Sequence, residues 1–123
     1  MEQERTLEKL TLLFRKTPDG IGVLTPKGEL TFLNVDEVRT YFNELMGEGF
    51  IRLLLNLSHL EHIDSMGVGF FIEEKNIAEE KGGDIQIWGA MEDIEDIFEV
   101  VGIKSLFGMY RTEGEGLQGM RGE

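Results

Sequence analysis

Residues 53–69 read LLLNLSHLEHIDSMGVG, and this stretch decides the fold class. It begins within an apolar run at residues 50–57, which is short and almost unbroken, as is typical of a strand covered on both faces. A polar connection follows at residues 58–64, and apolar residues then recur at helical spacing until a pair of glycines ends the pattern. The stretch therefore predicts a central buried strand, a short loop and a helix that begins at Ser65.

The rest of the chain adds strands and helices on both sides of this unit. Turn residues and changes of apolar period divide it into strands at residues 10–17, 21–24 and 84–88, helices at residues 35–46 and 91–101, and a last strand or short turn at residues 103–110. We predict a single α/β domain over residues 1–112, in which helices pack on a mixed sheet of four to five strands. Residues 113–123 are rich in Gly and Glu and poor in apolar side chains, so we expect a disordered tail.

Charge and composition exclude several function classes. The 123 residues include 12 basic and 24 acidic ones, and the net charge of -12 disfavours nucleic acid and anionic membrane surfaces as partners. The absence of cysteine excludes disulfides, thiol catalysis and cysteine-ligated metals. Apolar runs are far shorter than the roughly 20 residues of a membrane span, and the first residues lack an apolar signal core, so we expect a cytoplasmic protein.

Ser65 is the first candidate functional residue, because the sequence places a small hydroxyl at the start of a helix. Free amide groups and the positive end of the helix dipole converge there, so a phosphate carrying about −1.5 to −2 charge would be tolerated. The alternative is that Asp64 or Ser65 is only an N-cap, a position at which both residue types are favoured. Two glycines follow, Gly67 and Gly69, and we expect them to allow a neighbouring element to approach closely.

The predicted helix after Ser65 carries two apolar stripes on roughly opposite sides. The stripe that we assign to the core contains Val68, Phe71, Ile72 and Ala78, and the second stripe contains Met66, Phe70 and Ile77. Because only one side of a helix lies flat on a sheet, we predict that Met66 and Phe70 form an apolar patch for a partner beside Ser65. The alternative is that they pack against a neighbouring helix.

Two arrangements near Ser65 suggest other chemistry and are not favoured. His59 and His62 lie three residues apart in the loop, but no further ligand set accompanies them, so we predict no metal site. Ser65, His62 and Asp64 are the residue types of a catalytic triad, yet adjacency in sequence does not supply triad geometry. We therefore predict no enzyme activity and no cofactor.

Motifs in three parts of the chain resemble those of one family. They are Gly28-Glu29-Leu30 before the first helix, Asn56-Leu57 leading to residues 63–69, and Gly102-Ile103 followed by Leu106-Phe107. The segment at residues 63–69 is similar to the family's Asp-Ser-Ser-Gly-hydrophobic-Gly. By these motifs, residues 7–110 resemble a STAS domain, the module shared by bacterial anti-sigma factor antagonists and the C-termini of sulphate transporters.

The resemblance implies that the protein is an anti-sigma factor antagonist regulated at Ser65. In the family, the first Ser of the motif is phosphorylated by a partner anti-sigma factor that is also a serine kinase and that brings ATP and magnesium. The unphosphorylated domain binds this partner and frees the sigma factor, and phosphorylation releases it. A serine phosphatase is a further candidate partner. The residues expected to bind the anti-sigma factor are Asp64, Ser65, Met66, Gly67, Phe70 and Thr31.

The sequence departs from the family pattern at two positions. Met66 replaces the second Ser and removes an alternative acceptor hydroxyl, and Thr31 stands where an acidic residue often follows Gly-Glu-Leu. The second departure weakens any phosphate or nucleotide contact at that position. Two other functions also stay open, namely a non-switching scaffold subunit of a stress-signalling assembly and a STAS module that binds a small ligand or nucleotide.

Overall fold

The predicted central strand is confirmed as β4 (Arg52–Asn56) in the computed structural model, which describes residues 2–122. The other strands are β1 (Gln3–Leu7), β2 (Leu10–Lys16), β3 (Gly22–Leu30), β5 (Leu60–Ile63), β6 (Asp84–Trp88) and β7 (Met109–Tyr110). The helices are α1 (Val35–Gly47), α2 (Ser65–Glu80), α3 (Glu92–Val100) and α4 (Glu113–Met120), with a 3-10 turn at Lys104–Leu106. Met1, in the predicted domain, and Glu123, in the predicted tail, lie outside the described residues.

The sheet has 7 strands, in the order β1-β2-β3-β4-β6-β7, with β5 paired to β3. Strands β1, β2 and β3 pair antiparallel, whereas β3, β4, β6 and β7 run parallel, as do β3 and β5. The predicted α/β architecture with a mixed sheet is confirmed, but four to five strands was too few. The two strands that the sequence did not predict are β1 and β5. Strand β1 is almost wholly exposed, and β5 buries only its first and last residues, so neither shows the alternation of a half-buried strand.

Side chains alternate across β4 and divide the apolar residues between the two faces of the sheet. Leu53 and Leu55 are fully buried in the main core, to which α1, α2 and α3 contribute. Leu54 points to the opposite face, where it packs with Ile21 and with Met120 of α4. A strand buried on both faces cannot carry polar residues at alternate positions, which explains the unbroken apolar run of its sequence.

The prediction of a disordered tail at residues 113–123 is wrong, because α4 is a helix that packs on the sheet. Thr112 caps this helix, and its side-chain oxygen accepts a hydrogen bond from the Glu115 amide at 3.1 Å. A Cβ on Gly116 would lie only 2.9 Å from Cδ1 of Leu54, so glycine lets the helix backbone approach the strand. The glycines that lower helix propensity are therefore compensated by close packing, which composition alone does not reveal.

Ion pairs hold both ends of α4. Arg15 pairs with Glu113 at its start, and Arg121, just after its end, donates hydrogen bonds of 2.7 and 3.0 Å to the carboxylate of Asp19. The Arg121 guanidinium is the main reason that the pKa of Asp19 lies well below its ordinary range. The C-terminal end of α4 is thus held against the turn between β2 and β3.

Candidate functional site

Asp64 lies between β5 and α2, and its carboxylate joins two segments of the chain. Oδ1 accepts a hydrogen bond from the amide of Gly67 at 3.0 Å, which makes Asp64 the N-cap of α2. Oδ2 accepts one from the amide of Phe32 at 2.9 Å, in the loop between β3 and α1. Hydrogen bonds to an ionised acceptor are stronger than neutral ones, so this carboxylate holds the loop firmly against the start of the helix.

The loop at residues 31–34 is fixed from its other side by Asn34, which is only 1% exposed. The Asn34 side-chain amide donates to the backbone carbonyls of Glu8 and Glu29, each at 2.8 Å, and its oxygen accepts from the Thr31 amide at 3.2 Å. The Asn34 amide thus ties the loop to the backbone of β3 and to the turn between β1 and β2.

Thr31 does not reach the surface of this loop. Its side chain is buried, and its hydroxyl accepts a hydrogen bond from the Leu33 amide at 3.3 Å. The sequence prediction that Thr31 contacts a partner directly is therefore wrong, because this hydroxyl serves the loop itself. The burial equally disfavours a nucleotide or phosphate contact at this position.

Ser65 is exposed at the first position of α2. The N-cap alternative applies to Asp64 and not to Ser65, because the Asp64 carboxylate takes the capping hydrogen bond. Among the residues that the structure describes, none forms a hydrogen bond with the Ser65 hydroxyl. The first amides of a helix lack partners within it, so Ser65 combines an accessible nucleophilic oxygen with a local environment that favours negative charge.

The two glycines after Ser65 have different roles. A Cβ on Gly67 would lie 2.6 Å from Cγ1 of Ile63 and 2.7 Å from the Leu30 carbonyl oxygen. The predicted close approach is therefore confirmed at Gly67, where α2 begins against the ends of β3 and β5. At Gly69 it is wrong, because a Cβ there would meet no atom within 4 Å.

Met66 and Phe70 do not form the patch predicted for them. Phe70 is 1% exposed, and its ring packs edge to face on Phe42 of α1 with 5.0 Å between the ring centroids. The alternative, packing against a neighbouring helix, is correct for Phe70. Its neighbour Phe71 is also buried, with its ring centroid 6.3 Å from that of Phe98 of α3. Met66 remains exposed beside Ser65.

Three exposed apolar side chains lie on the loop before α1 and at the start of α2, namely Phe32, Leu33 and Met66, which are 68%, 42% and 52% exposed. Together with Ser65 we call them the Ser65 surface. Large apolar side chains presented by a fixed loop and a helix start are typical of protein-binding sites. The sequence did not predict that Phe32 and Leu33 are exposed, because they stand in an apolar stretch directly before α1. The available signal was Asn34, whose residue type at a helix start places the preceding residues outside the helix.

Other chemistry finds no support in the part of the chain that the structure describes. Within residues 2–122 no cluster of three or more His, Cys, Asp and Glu side chains is arranged to hold a metal ion. None of the helices among these residues combines the length and the apolar character that crossing a bilayer requires. What the structure does place at this site is an exposed serine hydroxyl beside exposed apolar side chains.

Known proteins are similar to this chain in sequence and in fold. The family model described as "STAS domain" matches residues 15–116. An anti-sigma-B factor antagonist from Staphylococcus aureus is 28% identical over 98 residues, which cover 80% of this chain and 89% of that protein.

Solved structures agree on the fold. The structure of the unphosphorylated anti-sigma factor antagonist SpoIIAA has a TM-score of 0.78 at 20% identity, with 91% of this chain and 97% of that chain covered. An anti-sigma factor antagonist from Mycobacterium paratuberculosis has a TM-score of 0.77 at 19% identity, with coverages of 94% and 97%.

Proposed function

Because this chain belongs to the STAS domain family, we propose that it is an anti-sigma factor antagonist that is switched by phosphorylation of Ser65. In this proposal the Ser65 surface binds an anti-sigma factor that is also a serine kinase, and this binding releases the sigma factor. The kinase brings ATP and magnesium, and a serine phosphatase restores the binding form. The chain itself is a regulatory module without catalysis of its own, and it acts in the cytoplasm, where sigma factors work.

The observation that carries the proposal is the position of Ser65. Its hydroxyl is exposed at the first position of α2, beside a capping carboxylate and next to the exposed apolar side chains of Met66 and Phe32. A kinase can reach this oxygen without unfolding the helix. The names of the relatives support the same class of partner, since the Staphylococcus aureus protein is an anti-sigma-B factor antagonist.

The physical basis of the switch is the cost of burying a phosphate. A phosphate on Ser65 adds about −1.5 to −2 charge at the edge of an apolar contact, where a bound partner would exclude water from it. Each loss of about 1.4 kcal/mol weakens binding tenfold, so even partial desolvation of the phosphate is enough to release the partner.

Intact-mass measurement tests the modification. The chain is incubated with ATP, magnesium and each anti-sigma serine kinase encoded in its source genome. We expect one phosphate on the wild type and none on Ser65→Ala. The matched control is Ser105→Ala, at another exposed serine, which should be phosphorylated like the wild type. Phosphate addition to Ser65→Ala would contradict the assignment of the site.

Calorimetric titration with the same kinases tests the switch. We expect Ser65→Ala to bind about as tightly as the wild type, and Ser65→Asp to bind at least tenfold more weakly. If the wild type binds a kinase and is not phosphorylated, the non-switching scaffold is the better description. If Ser65→Asp binds as well as Ser65→Ala, negative charge at this position does not control binding and the switch is wrong.

A further inference from the structure

An apolar groove begins at Ser65 and runs between α2 and α3. Its volume is about 400 Å³. Val68 and Ile72 line one wall, and Ile97 and Val101 line the other. Val101 is 51% exposed, although its side chain is apolar. The groove is continuous with the Ser65 surface, because Ser65 itself lies on its lining.

Gly69 also lines this groove, and nothing in the fold requires a glycine there. Its φ is not positive, it lies inside α2 rather than at a turn, and a Cβ would meet no atom within 4 Å. Glycine is among the least favourable residues in a helix interior. Gly67 differs, since a side chain there would collide with Ile63. Because Gly69 has no side chain, the space above it inside the groove stays open.

The charge around the groove indicates what kind of segment fits it. Helix α3 carries no basic residue, and of its acidic residues Glu92 and Glu95 line a different pocket, where Glu95 pairs with Lys104. Asp93 is exposed and precedes Ile97 by four residues, so it lies on the groove side of α3. An occupant therefore gains from apolar side chains between the helices and from Lys or Arg along α3, as amphipathic segments do when they bind in grooves.

We propose that the groove between α2 and α3 receives a basic amphipathic segment of the anti-sigma factor, and that Gly69 keeps the space for its apolar side chains open. This proposal rests on the function proposed above and extends the contact from the Ser65 surface along α2. Apolar side chains of the occupant lie at the Ser65 end, and its basic residues lie along α3. A phosphate on Ser65 would then be enclosed by apolar side chains and deprived of water, which opposes binding.

Substitution of Gly69 separates binding from folding. Gly69→Gln fills the groove with a side chain that favours helix, so we expect a melting temperature about 3 °C higher than that of the wild type. We expect its affinity for the kinase that binds the wild type to fall at least tenfold in calorimetric titration. The matched control is Gly47→Gln, in α1, where a Cβ also meets no atom within 4 Å, and its affinity should stay within threefold of wild type.

A second pair of variants tests the opposite wall. Val101→Gln should weaken binding about tenfold. Val100→Gln should change the affinity less than threefold, although Val100 is 85% exposed and therefore the more accessible of the two. This pair tests the groove even if Gly69→Gln does not fold. It also distinguishes a contact made in the groove from a general effect of exposed apolar side chains on binding.

Each outcome decides one part of the proposal. Wild-type affinity in both Gly69→Gln and Val101→Gln, with weakened binding of Ser65→Asp, would overturn the groove and leave the proposed function intact. If the wild type binds none of the kinases, the proposed function fails and the occupant named here fails with it. If sedimentation shows a wild-type dimer that Gly69→Gln converts to a monomer, the groove holds a second copy of the chain, and the proposal is wrong.

Discussion

Replacement of Glu74 by Gln is expected to stabilise the fold by an amount that grows as pH rises above 5. Glu74 lies on α2 and is 0% exposed. Both of its carboxylate oxygens are buried without a hydrogen-bond partner among the described residues. Burial, with a smaller contribution from neighbouring Glu73, raises the pKa of Glu74 to about 7, and the charge of Arg39 only partly opposes this.

The size of the effect follows from the difference in proton affinity between the folded and unfolded chains. The ordinary pKa of such a carboxyl is 4.5, and in the folded protein it is about 7. Between these values the folded state binds the proton and the unfolded state does not, so the free energy of unfolding falls as pH rises. At about 1.4 kcal/mol for each tenfold change in proton affinity, ionised Glu74 costs roughly 3 kcal/mol above pH 7. Below pH 4.5 this cost is absent.

Urea unfolding, followed by tryptophan fluorescence at pH 5, 6, 7 and 8, measures this cost. We expect the stability gained by Glu74→Gln over the wild type to be small at pH 5 and to be roughly 3 kcal/mol larger at pH 8. The matched control is Glu80→Gln, at an exposed position near the end of the same helix, which should show no such trend. A gap between Glu74→Gln and wild type that is equal at pH 5 and pH 8 would refute the reasoning.

Three further substitutions, two at the site and one on the opposite face of the sheet, test packing and capping by the urea midpoint. Gly67→Ala should lower the free energy of unfolding by about 2 kcal/mol, because its Cβ would lie 2.7 Å from the Leu30 carbonyl oxygen. An unchanged midpoint would contradict that close approach. Asp64→Ala should cost about 1.5 kcal/mol and speed hydrogen exchange at the Phe32 amide, and unaltered exchange there would show that the cap does not hold the loop. Met120→Ala should cost about 2 kcal/mol, whereas a disordered tail would leave stability unchanged.

The parts of the site that the sequence predicted are those set by local geometry. The central strand β4 and the helix start at Ser65 follow from neighbouring residues along the chain, whereas β5, directly before Asp64, was not predicted. A buried strand shows itself by an unbroken apolar run, and a helix start by capping residue types, whatever the rest of the fold does. The position of Ser65 at an exposed helix start could therefore be predicted.

The parts that the sequence did not predict depend on how the helices, strands and loops pack against one another. Phe70 and Met66 lie on the same predicted stripe, yet Phe70 is buried and Met66 is exposed. Only the placement of α1, with Phe42 against Phe70, separates them. The sequence does not tell whether Thr31 lies at the surface. The fold of the loop at residues 31–34 buries its side chain.

The sequence by itself determined the α/β class, the doubly covered central strand, the net acidic charge and a serine at a helix start, because each arises from composition or from periodicity along the chain. Tertiary structure alone decided that residues 113–120 form a helix, that Phe32 and Leu33 stand exposed beside Ser65, and that a groove opens over Gly69. These features depend on contacts between segments distant in sequence. The glycine-rich α4, for example, approaches Leu54 of the sheet at Gly116, a contact that its own sequence does not reveal.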